Sequence, residues 1–83
     1  MNAYQVIWLT RQWKRLRLLH AANPSAVDQA VSAIEQALGM DPHGSGTPLS
    51  EGLFKFDSPP LRVFYSIQSP RLRVIIHHVD EIP

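Results

Sequence analysis

The sequence predicts an α+β fold of the order β-α-α-β-β-β, in which a small, largely antiparallel sheet packs one face against two N-terminal helices. Two observations predict this class. Residues 53–79 read as three short strands rich in aromatic and β-branched residues, separated by turn signals at 57–60 and 68–71. Two helical patterns and a short apolar stretch precede them. Eighty-three residues are typical of one domain, 1–83.

The composition is that of a soluble globular chain. Hydrophobic residues make up 45%, charged residues 18%, and the net charge is +1. The absence of cysteine excludes disulfides, thiol nucleophiles and thiolate metal sites. No run is long enough for a membrane span, and the N-terminus lacks a signal-peptide layout, so we expect a cytoplasmic protein. Asp41, His43, His77 and His78 lack the spacing of a metal site, and we expect neither metal nor cofactor.

The first strand is predicted over residues 3–9 and the first helix over 11–22. Arg11, Lys14 and Arg15 fall on one stripe of that helix. Two interpretations of these basic residues stay open. They form an ordinary solvated face, or they form a surface that meets phosphates or an acidic partner segment.

The second helix is predicted over residues 25–38, because Val27, Ala30, Val31, Ile34 and Leu38 form a continuous apolar stripe. Residues 40–50 are rich in Pro, Gly and Ser and are predicted as a loop. The segment 44–46, Gly-Ser-Gly, lacks the strand and Lys context of a phosphate-binding loop.

The three predicted strands form an antiparallel meander, and alternation along its middle strand assigns side chains to the two faces of the sheet. The side chains expected on the core face are Leu61, Val63, Tyr65 and Ile67. Four-residue turns at 57–60 and 68–71 would pair Phe56 with Leu61 and Ile67 with Leu72. The same register would place His78 on the core side, opposite Leu61.

On the opposite face, this register predicts that Lys55, Arg62 and His77 lie in one row across three strands, with Arg73 opposite Ser66. Adjacent cations in a sheet are unfavourable unless an anion lies between them. Two explanations stay open: Asp57 supplies the neutralising charge from within the chain, or the row is a site for a phosphate or an acidic partner.

Three local patterns accompany the predicted element order: hydrophobic-Lys-hydrophobic at 54–56, Pro-Leu-Arg-Val-hydrophobic-Tyr at 60–65, and Arg-Val-hydrophobic-Ile at 73–76. Together with the order strand, two helices, three strands, they resemble the RelE/ParE toxin superfamily of bacterial type II toxin-antitoxin systems. The resemblance extends from Tyr4 to Val79. It implies a compact sheet with two helices on one face and an open, often basic, opposite face.

RelE-like members of that superfamily cut messenger RNA at the ribosome. The resemblance implies phosphate binding by Arg62 and Lys55 and proton transfer by His77, since an imidazole titrates near neutrality. We also expect RNA or partner contacts by Arg11, Lys14, Arg15 and Arg73. The implied partners are a cognate antitoxin, which would wrap the sheet and helix surface, and the ribosome with its message.

The sequence also departs from the nuclease pattern. Leu53 stands where a second basic residue is expected, and the chain ends Asp80-Glu81-Ile82-Pro83. ParE-like members, which poison DNA gyrase without that nuclease site, accommodate these departures. A non-catalytic gyrase-binding toxin and a degenerate, non-toxic relative that acts only by protein binding therefore stay open as alternatives.

Overall fold

A computed structural model describes residues 3–82. The helices and strands follow the chain in the order β1 (Gln5–Trp8), α1 (Thr10–Ala22), α2 (Pro24–Met40), α3 (Pro42–Ser45), β2 (Thr47–Pro48), β3 (Phe54–Ser58), β4 (Leu61–Gln68), a 3-10 turn (Ser69–Arg71) and β5 (Arg73–Glu81).

Within residues 3–82 the five strands form one sheet in the order β1-β5-β4-β3-β2. Strands β2 to β5 pair antiparallel, whereas β1 lies parallel to β5 at one edge. The predicted strand, helix pair and antiparallel meander are all present. The fold class predicted from the sequence is therefore confirmed.

The helices cover one face of the sheet and form the core with it. Trp8 and the apolar stripe of α2 pack against the inner side chains of β4 and β5. The buried apolar residues are Trp8, Leu16, Val27, Ala30, Ile34, Leu38, Leu61, Val63, Tyr65, Val74, Ile76 and Val79. The predicted core face of the middle strand is confirmed.

The segment 40–50 is more ordered than a loop. Helix α2 continues past Gly39 to Met40, a short helix α3 follows, and Thr47 and Pro48 add an edge strand. The Asp41 carboxylate accepts a hydrogen bond from the Gly44 amide (3.0 Å), which caps α3. Prediction of an unstructured loop was wrong here because these elements are too short to show a periodic pattern.

The register between β3 and β4 differs from the expectation by two residues. Phe56 pairs with Val63, and Asp57 pairs with Arg62. Asp57 and Ser58 remain in the strand, and the buried Ser58 hydroxyl donates to the Ala30 carbonyl (3.3 Å). The turn therefore contains only Pro59 and Pro60. A shift of two preserves the faces but moves every partner, so Lys55 lies opposite Phe64 rather than Arg62.

The register between β4 and β5 also differs, because the turn contains residues 69–72 and Leu72 adopts a left-handed conformation (φ 52°). Gln68 therefore pairs with Arg73, and Ser66 lies opposite Ile75. The expected pairing of Ser66 with Arg73 was wrong.

Candidate functional site

The face of the sheet opposite the helices carries most of the polar side chains of the meander. We call it the open face. It presents, by strand, Lys55 and Asp57 from β3; Arg62, Phe64 and Ser66 from β4; and Arg73, Ile75, His77, His78 and Asp80 from β5. Lys, Arg and carboxylate side chains account for three positive and two negative charges of this set, so a small cationic excess remains.

A β-bulge in β5 shapes this face. Tyr65 pairs with Ile76 and Phe64 pairs with His78, which leaves His77 as an extra residue between them. The alternation of faces is thereby reset: Ile76 and Val79 are both buried, whereas His77 and His78 are both exposed. Two consecutive imidazoles therefore lie on the open face.

The predicted core position of His78 was wrong for this reason. Its side chain is 54% exposed, its ring lies 5.9 Å from that of Phe64, and Leu61 pairs with Glu81 instead. A single extra residue reverses every orientation predicted beyond it. No hydrophobic pattern in the sequence marks the bulge, although the doublet His77-His78 interrupts the apolar alternation of β5.

Each histidine has a polar partner. Ser66 Oγ lies 2.7 Å from His77 Nε2, and His78 Nε2 lies 2.9 Å from Asp80 Oδ1. These contacts hold both rings in defined orientations on the open face. A hydroxyl and a carboxylate beside imidazoles are partners suited to proton transfer.

Arg62 does not lie in a row with Lys55 and His77; it lies between Asp57 and Asp80. Its guanidinium donates two hydrogen bonds to Asp57, at 2.7 and 3.1 Å. The hydrogen bond from Arg62 lowers the pKa of Asp57, and the same hydrogen bond to Asp57 raises the pKa of Arg62. The predicted row is therefore incorrect, although all three side chains lie on the open face.

Lys55 lies opposite Phe64 on one side and Thr47 on the other. It forms no ion pair with any residue from 3 to 82. A cation without a carboxylate partner is available to a bound anion. Phe64, which was not selected from the sequence, lies partly exposed between Lys55 and His78 and offers an aromatic surface to a base.

Helix α1 supplies the site's supporting contacts. Arg15 Nε donates to the Val79 carbonyl (2.7 Å), and Arg15 Nη2 lies 3.7 Å from Asp80 Oδ1. Gln12 Nε2 donates to the His77 carbonyl (2.7 Å) and is only 4% exposed. Gln12 was missed from the sequence because a glutamine in a basic helix gives no sign of burial.

The other predicted contacts divide between two regions. Arg11 and Lys14 are exposed on α1, away from the open face, and Arg73 lies on β5 opposite Gln68. Arg73 therefore shares the open face with Lys55 and Arg62, whereas the structure does not bring Arg11 and Lys14 to that face. Over residues 3–82 no group of three His, Asp or Glu side chains is placed to hold a metal ion. Nor is any helix in that range long and apolar enough to cross a membrane.

Searches of protein-family models and of curated proteins found no match. Among solved structures, the chain matches one from the crystal structure of the toxin-antitoxin complex RelBE2 from Mycobacterium tuberculosis. The TM-score is 0.81 with 26% identity, over 98% of this chain and 93% of that one. Similarity over nearly the whole of both chains confirms the resemblance drawn from the sequence: the chain has the fold of the RelE/ParE toxin superfamily.

Proposed function

We propose that the chain is the toxin-like component of a toxin-antitoxin pair and that its partner is a cognate antitoxin. Its structural similarity to a chain of the RelBE2 toxin-antitoxin complex supports this proposal. Expression of the chain alone from an inducible promoter should arrest growth of a bacterial host, and co-expression of the antitoxin should restore it. Normal growth at high expression of folded protein would contradict the toxin assignment.

For the activity itself, we propose RelE-type cleavage of ribosome-bound messenger RNA on the open face. The observation that carries this proposal is the bulge in β5, which brings two imidazoles to the same face as Lys55 and Arg62. RNA cleavage by its own 2'-hydroxyl requires a proton acceptor, a proton donor and a cation beside the phosphate. The open face contains all three kinds of group.

In this mechanism His77 accepts the proton of the attacking 2'-hydroxyl or donates one to the departing 5'-oxygen. Lys55 stabilises the negative charge that develops on the phosphate. Arg62 would contribute once a phosphate competes with Asp57 for its guanidinium, since both anions accept bidentate hydrogen bonds. Phe64 is placed to stack with a base of the single-stranded message.

Substitution of Lys55 tests the phosphate role. Lys55→Gln should reduce cleavage of ribosome-bound message by about 100-fold, the scale of losing one transition-state donor. Arg71→Gln, which removes an exposed cation in the turn before β5, should leave cleavage unchanged. Equal rates for the two variants would remove Lys55 from the mechanism.

One observation favours the second candidate, a non-catalytic ParE-like protein that binds DNA gyrase. Asp57 neutralises Arg62, and Asp80 places a further carboxylate on the open face. Both carboxylates oppose RNA binding by charge repulsion. A gyrase supercoiling assay separates the candidates: inhibition of supercoiling without message cleavage would support the gyrase-binding protein and contradict the nuclease.

A further inference from the structure

Helix α1 begins where β1 would otherwise continue alongside β5. The pairing of β1 with β5 ends at Trp8 and Ile76, because the chain turns into α1 after Leu9. Strand β5 continues to Glu81, so its backbone beyond Ile76 has no strand partner on the β1 side within the described range. Unpaired backbone carbonyls are unfavourable when buried and require other donors.

Gln12 and Arg15 supply those donors. Gln12 Nε2 bonds to the His77 carbonyl and Arg15 Nε to the Val79 carbonyl, both at 2.7 Å. The carbonyls of His77 and Val79 both face α1, as these two hydrogen bonds show. Side chains three residues apart on a helix lie on the same face, separated by roughly 5–6 Å. Two side chains one turn apart on α1 therefore bond to two carbonyls that lie two residues apart on β5.

We propose that Gln12 is a positioning residue for the open-face histidines, and that Arg15 assists it. The bulged residue His77 would otherwise have an unpaired carbonyl at the point where the strand bends. Gln12, which is almost completely buried, fixes that carbonyl from the helical side. The His77 imidazole then emerges on the open face within hydrogen-bonding distance of Ser66.

Arg15 extends the same support to the second imidazole. It bonds to the Val79 carbonyl and contacts Asp80, whose carboxylate holds His78. The orientation of both rings is therefore coupled to α1. The inference deepens the proposed nuclease function, since it assigns support for the same site.

The test uses Gln12→Met in the full chain, because methionine has a similar length but no donor. The matched control is Gln29→Met at an exposed position of α2. Nitrogen-15 NMR of the imidazole rings reports their orientation and hydrogen bonding without any assay of activity. We expect shifted His77 ring and residue 77–79 amide resonances in Gln12→Met alone, with message cleavage lowered by about tenfold to 100-fold.

A second variant, Gln12→Glu, separates loss of the hydrogen bond from loss of folding. In Gln12→Glu a protonated carboxyl can donate to the His77 carbonyl, whereas a carboxylate cannot. We expect the residue 77–79 amides to approach their wild-type positions at low pH and to depart from them as the pH rises. Loss of packing alone would not produce this reversal, because the two protonation states have nearly the same volume and differ only in the ability to donate.

Unchanged His77 ring resonances in folded Gln12→Met, or no pH-dependent return of the amides in Gln12→Glu, would overturn the positioning role. This result is distinct from failure of the proposed nuclease. If the resonances shift as expected while the wild-type chain cleaves no message, the positioning role is supported and the nuclease proposal is contradicted.

Discussion

Individual side chains decide how much of the open face is available to an anion. Arg62 is bound to Asp57 by two hydrogen bonds, whereas Lys55 forms no ion pair in the described range. The pKa of Asp57 is lowered by this contact, so the pair gains stability above the ordinary carboxyl pKa and loses it as the pH falls through the lower folded-state pKa. At neutral pH the positive charge of Arg62 is therefore balanced by the carboxylate of Asp57.

Removal of the Asp57 charge should release Arg62. We predict that Asp57→Asn binds single-stranded RNA several-fold more tightly than the wild type, with a salt dependence steeper by roughly 0.7 in the log-log slope. Filter binding at several salt concentrations measures both quantities. Asp28→Asn is the matched control, because Asp28 pairs with His20 on the helical side. Equal affinities for the two variants would show that Arg62 contributes nothing to RNA binding.

Tyr65 joins the sheet to the segment before β2. Its buried hydroxyl donates to the Pro42 carbonyl (2.7 Å). We predict that Tyr65→Phe lowers the free energy of unfolding by about 1–2 kcal/mol, since it leaves a buried acceptor unpaired. Tyr4→Phe should change it little, because the Tyr4 hydroxyl makes no hydrogen bond to residues 3–82. Urea denaturation provides the comparison, and equal midpoints would contradict it.

The same residue gives a pH prediction. Burial raises the pKa of Tyr65 to about 12. An unfolded tyrosine has a pKa near 10, so the folded state retains the proton longer. The stability contribution is complete below about pH 10 and declines as the pH rises toward 12. Wild type should therefore lose stability between about pH 10 and 12 faster than Tyr65→Phe, and parallel profiles would contradict the raised pKa.

At the scale of elements, the bulge in β5 determines which residues reach the open face. Deletion of His77 should restore regular pairing, because Ile76 and His78 already lie opposite neighbouring residues of β4. We predict that the deletion variant folds, retains Val79 in the core and keeps His78 exposed. Contacts between Val79 and Val63 in NOE spectra would confirm this arrangement. Loss of those contacts in a folded variant would show that the bulge is required for the pairing.

The predictions that succeeded rest on patterns within one strand, and those that failed depend on turns or on contacts distant in the sequence. Alternation in β4 identified the core face, and a two-residue register shift left that assignment intact. The pairing itself depends on turn lengths around Pro59 and Leu72, which side-chain patterns do not encode. The backbone at and just after the bulge accepts hydrogen bonds from Gln12 and Arg15, which are more than sixty residues distant in the chain. The core and open faces of β4 were therefore predictable, whereas the cross-strand neighbours and the face on which His78 lies were not.

For the whole molecule, stability depends on the apolar packing between α2 and the sheet. Leu38 is fully buried, whereas Leu18 is 74% exposed. We predict that Leu38→Ala lowers the free energy of unfolding by about 2–5 kcal/mol, and that Leu18→Ala changes it by no more than about 0.5 kcal/mol. Thermal denaturation of both variants measures the difference. Similar losses would place the stabilising packing elsewhere.

The helical layer and the open face are then parts of one arrangement. The core fixes α1 against β5, α1 holds the bulged backbone, and the bulge presents the histidines. An antitoxin that binds the helical layer would contact the exposed cations Arg11 and Lys14 without touching the imidazoles. A partner that covers the open face would instead block Lys55 and His77 directly.

Primer extension on messages translated in vitro tests the proposed histidine site most directly. Wild-type protein should cleave ribosome-bound message, and His77→Gln should cleave it at least about 100-fold more slowly, the lower end for loss of an acid-base group. His20→Gln, an exposed histidine of α1, should cleave at the wild-type rate. Absence of cleavage by folded wild type would contradict the proposed nuclease, and equal cleavage by His77→Gln would contradict the catalytic role of His77.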